Sequence, residues 1–184
     1  MISTTGMRRI EGSLRNLSII WVATIASIIV IIAITAVMFK NGSIPLPSGL
    51  DSETQIILLA VLSVLAASEI GGIVLFSVLF KSENVIKKRL QVAPPGQVEQ
   101  TLAEAPLTES DKLVVALTPL YFSLCAIRWV LGFSVSLYGF ILALVTGFMD
   151  MAAVFYAISI LTVAFLRPGT GEIEEMAVKA GSRQ

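Results

Sequence analysis

Glu69 and Arg128 are the residues best placed to do chemistry in this sequence, because each stands alone in a long apolar stretch. Residues 56–80 carry no charge except Glu69, and residues 113–149 carry none except Arg128. An ionisable group in hydrocarbon is costly, so it is paired, neutralised, or turned toward water or another helix. Around each group the helical neighbours are small. Ala66 and Gly72 flank Glu69 at i−3 and i+3, and Cys125 and Gly132 flank Arg128 at i−3 and i+4. Small faces let helices approach closely in a membrane. The spacing therefore predicts an ion pair between the two helices that carry Glu69 and Arg128.

That pair has three readings. It locks two helices together, in which case breaking it costs about 3–5 kcal/mol. It forms an ion site, with Glu69 holding a proton or cation and Arg128 gating it. Or the two never meet: Arg128 and Trp129 mark an interface to which the arginine snorkels, while Glu69 is a neutral acid or pairs with a partner chain. The lock is the expectation taken forward.

Small residues make a second pattern. Gly132, Ser136, Gly139, Ala143 and Gly147 recur at helical spacing, as do Ser63, Ala67 and Gly71 with nearby Gly72, and Ala153 with Ala157. Packing within one bundle is the expected use, with an oligomer face as the alternative. Asp150 is the remaining charge in an apolar region. Its place before an apolar run predicts an N-cap, where an anion is favourable.

Nothing else forms a catalytic constellation. The sequence has no histidine and one cysteine, Cys125. This excludes histidine-ligated metal or haem, histidine acid–base catalysis and an intrachain disulfide. Gly169-Thr170-Gly171 lacks the length and lysine of a phosphate loop. No cofactor, metal or enzymatic activity is expected.

The elements that hold these residues follow from composition. Of 184 residues 55% are apolar and 14% charged, with mean hydropathy +0.86. A soluble domain carries about a quarter charged residues. The missing charge lies in runs long enough to cross a bilayer core of about 30 Å. The reading is an all-α integral membrane protein, a four-helix transmembrane bundle. Its spans are 17–39, 56–80, 113–146 with a preceding interfacial turn, and 151–166. Between them lie an outer loop at 40–55, a cytoplasmic loop at 81–112 and an outer turn at 147–150. Residues 1–16 and 167–184 form the cytoplasmic ends. The first run is longer than the roughly 7–15 apolar residues of a secretory leader, so an uncleaved anchor is expected. Thr108 and Asp111 predict a capped helix start, and Pro119 predicts a kink.

Orientation comes from the 13 lysines and arginines. All but Lys40 and Arg128 fall in the N-terminal segment, the central loop or the tail. The positive-inside rule then places both termini in the cytoplasm. With zero net charge there is no electrostatic attraction for nucleic acid. The basic stretch 81–90 is read as a topology signal before a lipid-binding patch. A bacterial-type plasma membrane is the expected location, and the bilayer, other membrane subunits or further copies of the chain are the expected partners. The function expected is that of a non-enzymatic structural or accessory subunit or scaffold. A small proton- or cation-coupled transporter or channel using Glu69 and Arg128 is the alternative.

Overall fold

The computed structural model describes residues 3–44, 51–82, 84–86, 88 and 108–181. All regular structure among them is helical: α1 (Thr4–Lys40), α2 (Ser52–Phe80), α3 (Glu109–Thr146), α4 (Met149–Phe165) and α5 (Thr170–Gly181). Three helices are long and apolar enough to cross a membrane, with mean hydropathies of 2.8, 2.3 and 1.9 for α1, α2 and α3. A fourth span is counted if Met149–Phe165 and Thr170–Ala180 are taken together as a bent pair. Residues 45–50 of the outer loop and 89–107 of the central loop, with Lys87 and Arg183, lie outside the described residues.

Helix boundaries differ from the apolar runs in an instructive way. α1 begins at Thr4 and α3 at Glu109, since backbone hydrogen bonding continues past the point where lipid-compatible residues stop. Pro119 lies inside α3 without ending it. It removes one ladder hydrogen bond, a loss the other turns of a 38-residue helix absorb.

The contacts divide the chain into two units. The first contains Met1–Ile19, Leu75–Ala126 and Pro168–Gln184. Here Asp111 serves two helix starts. Its backbone N–H donates to Thr108 Oγ1 at 3.2 Å, and Thr108 Oγ1 donates to its carboxylate at 2.8 Å. Asp111 is also reached by the Ser3 N–H (2.9 Å) and the Ser3 hydroxyl (2.6 Å). Ser3 Oγ in turn accepts the Gly6 N–H at 3.1 Å. α1 has no acidic residue in its first turn, and the carboxylate of α3 supplies the anion its N-terminus favours.

In the same unit α5 buries Ile173, Met176 and Ala177. Lys81 bridges to Glu172 at 3.0 Å and Glu175 at 3.3 Å, and Lys179 to Glu175 at 2.8 Å. Hydrogen bonds from Lys179 and then Lys81 hold the Glu175 carboxyl below its ordinary value. A carboxyl depressed in the folded state stabilises it above the unfolded-state value and loses that effect as pH falls through the folded one. Amides 173–180 are therefore expected to stay protected from hydrogen exchange at neutral pH and to lose protection, corrected for intrinsic rates, below about pH 4. Lys81→Gln should flatten that step; an unchanged step in Lys81→Gln would show that the bridge does not hold the helix.

The second unit contains Ile20–Val74 and Ile127–Arg167. One cluster joins Leu62 and Ala66 of α2 to Val135 and Leu142 of α3 and Phe155 of α4. Another joins Ile44 to Ala143, Ala152 and Tyr156. The carbonyls at the C-terminal end of α4 are met by indoles, and the Val163 carbonyl also accepts the Leu166 N–H at 3.2 Å. Trp21 Nε1 donates to the Val163 carbonyl at 2.8 Å, and Trp129 Nε1 to the Leu166 carbonyl at 3.0 Å. The Arg167 guanidinium lies 5.9 Å from the Trp21 ring centroid, within cation–π range.

Candidate functional site

The site is built where α2 meets α3 in the second unit. Glu69 is the eighteenth residue of α2, so it lies about 26 Å along that helix. Both carboxylate oxygens accept hydrogen bonds from α3. The Ser134 hydroxyl reaches Oε2 and the Tyr138 hydroxyl reaches Oε1. Ser134 and Tyr138 are four residues apart, so successive turns of α3 present both hydroxyls to one carboxylate. Ser134 Oγ also lies 2.8 Å from the Leu131 carbonyl oxygen. All three side chains are partly buried, and Leu58, Leu59 and Tyr138 pack against the adjoining apolar cluster.

The expected Glu69–Arg128 ion pair is not formed. Arg128 precedes Ser134 by six residues, about 9 Å along α3 and a third of a turn away around it. It is buried, at 4% exposed, and engaged in interactions of its own. A hydroxyl pair, and not a guanidinium, therefore answers the Glu69 carboxyl.

The small residues take separate roles. A Cβ on Gly139 would lie 2.9 Å from Phe155 Cβ and 3.0 Å from the Ala152 carbonyl oxygen. One on Gly132 would lie 2.9 Å from a Val163 methyl. Ser136 and Ala143 are fully buried. The Gly132 carbonyl accepts the Ser159 hydroxyl at 2.7 Å, and the Tyr156 and Thr35 hydroxyls are bonded at 2.7 Å. Gly72 is looser: its Cβ would make an ordinary 3.5 Å contact with Leu131. Gly147, placed by its sequence both in the small-residue series and at the start of the turn 147–150, follows the last residue of α3. Its φ of 72° is a left-handed conformation that glycine adopts without strain, and its N–H closes on the Ala143 carbonyl at 3.0 Å.

Asp150 does not cap α4. The N-cap position is Phe148, with no side-chain cap hydrogen bond. The helix starts at Met149, so Asp150 is already inside the first turn. It is exposed there and still favours the helix N-terminus by its charge. No group of three or more acidic or cysteine side chains that could hold a metal ion occurs among the described residues.

No family profile, curated protein or solved structure matches the chain.

Proposed function

We propose that the protein is a four-span membrane protein with both termini in the cytoplasm, acting as a non-enzymatic structural or accessory subunit. Its partners on this reading are the bilayer of a bacterial-type plasma membrane and other subunits or copies of itself. The observation that carries it is the surface left open on α2. Only 17% of its most apolar window is buried within the chain, and its exposed side presents Ser63, Ala67 and Gly71 in line. A Cβ on Gly71 would meet nothing within 4 Å. α3, at 44% buried, spends its own small residues on α4. The surface left on α2 suits close approach by another helix as well as lipid.

The test is the native mass of the full chain extracted in mild detergent, with wild type compared against Ala67→Leu and Gly71→Leu. The reading expects an assembly larger than one chain, or a stoichiometric companion, reduced by the leucines while the helical content is kept. A single-chain mass without a companion would end it. The transporter alternative is supported by Glu69 alone, since Arg128 does not join the carboxyl. Its mark would be cation flux into proteoliposomes that Glu69→Gln abolishes.

A further inference from the structure

We propose that Glu69, Ser134 and Tyr138 form a binding site for one exchangeable proton, with the Ser134 hydroxyl acting as a two-position relay. The inference is independent of the subunit reading, since the site needs neither a partner chain nor flux.

The argument rests on counting hydrogens. A serine hydroxyl has one hydrogen to donate and two lone pairs to accept with. Ser134 Oγ lies within bonding distance of two acceptors, Glu69 Oε2 and the Leu131 carbonyl oxygen, and can serve only one at a time. With the carboxylate ionised, Ser134 donates to Oε2 and Tyr138 donates to Oε1. With a proton on Oε2, the acid O–H donates to Ser134 Oγ, and the serine hydrogen swings to the Leu131 carbonyl. Tyr138 still donates to Oε1. Every polar hydrogen has an acceptor in both states, and no heavy atom moves. One O–H bond forms on Oε2 as the proton arrives from water, and the site's charge passes from −1 to zero.

The Leu131 carbonyl is the i−3 acceptor that helical serines of this chain reach elsewhere, as Ser136 reaches the Phe133 carbonyl at 2.6 Å, so the second position of the hydroxyl is an ordinary one. The surroundings also make proton uptake the available route to neutrality. Tyr138 is the titratable group of α3 in contact with Glu69; Arg128, the charged residue of that helix nearest to Ser134 in sequence, lies about 9 Å from it along the axis, and Glu109, Asp111 and Lys112 stand more than twenty residues before Ser134. α2 carries no other charge after Glu53. α1 carries none between Arg15 and Lys40, and α4 none after Asp150. A charge left in such a layer is costly, and the two hydroxyls supply hydrogen bonds without supplying a counter-charge.

The experiment is infrared difference spectroscopy of the full chain in proteoliposomes, acidic minus alkaline. The expected result is a carbonyl stretch of a neutral carboxylic acid that is lost in Glu69→Gln. In Ser134→Ala and Tyr138→Phe the same band should persist but shift upward, because each loses one hydrogen bond to the acid; a merely structural role would not move it. Should Glu69→Gln fail to fold, labelling of wild type with dicyclohexylcarbodiimide, which attacks protonated carboxyls in apolar surroundings, keeps the question open to measurement. Mass spectrometry should then find the adduct on Glu69, declining as pH rises. The proposal is overturned if wild type shows neither a Glu69-dependent band nor an adduct at any pH where it stays folded. It is also overturned if sodium at constant pH removes the band, which would assign the site to a metal cation.

Discussion

Gly139→Ala is expected to destabilise the protein even though alanine is the better helix former. Helix propensity alone would favour alanine over glycine by about 1 kcal/mol. Against this, the new methyl would stand 2.9 Å from Phe155 Cβ and 3.0 Å from the Ala152 carbonyl oxygen. Both atoms are fixed to the α4 backbone, so no rotamer change relieves the contact and the helices must separate. Overpacking of this kind costs about 1–3 kcal/mol, and Gly139→Leu should reach about 3 kcal/mol or more. Gly132→Ala provides the contrast. Its closest neighbour is a side-chain methyl of Val163, so Val163→Ala should restore part of the loss non-additively. Unfolding by sodium dodecyl sulfate, followed by far-ultraviolet circular dichroism, gives the comparison. A Gly139→Ala protein more stable than wild type would show that α3 and α4 do not pack as described.

The second large effect is expected at the carboxyl. Single removal of a donor, Ser134→Ala or Tyr138→Phe, leaves one hydrogen bond in place and should cost about 0.6–1.7 kcal/mol, the range for interhelical hydrogen bonds in membranes. Removing both strands a carboxyl in an apolar layer. The double variant should therefore lose more than the sum of the singles. Adding Glu69→Leu to the double variant should recover most of that loss, because replacing all partners of a buried polar group with apolar ones is close to neutral. The same denaturant titration reads all four proteins. If the triple variant is no more stable than the double, the carboxyl is answered by something other than these hydroxyls.

How much of this was legible in the sequence depends on distance along the chain. The capping pair of Thr108 and Asp111 could be read directly, because its partners are three residues apart and the motif is local. The bonds from Ser3 to Asp111 could not, since 108 residues separate them and no local pattern announces them. The apolar runs identified α1 and α2 as helices but missed their extensions, because hydrophobicity reports the solvent and not the backbone ladder. Asp150 was misplaced by two positions, enough to move it from a cap to a first turn.

The partner of Glu69 was missed for a different reason. The small residues around Glu69 and Arg128 pointed to opposite charge, whereas Ser134 and Tyr138, four apart on α3, are the groups that the packing of α2 against α3 brings to the carboxylate. The small-residue series and the turn at Gly147 were visible in full, yet only contact geometry separates Gly139, pressed against α4, from Gly72, which makes an ordinary contact.

Trp21 and Trp129 are the chain's two tryptophans, and both place their indole N–H on the last carbonyls of one helix. Intrinsic fluorescence of the unlabelled protein is consequently a local optical probe. Its wavelength and intensity report whether the end of α4 is still seated, and they stay silent about events at the far end of the same helix.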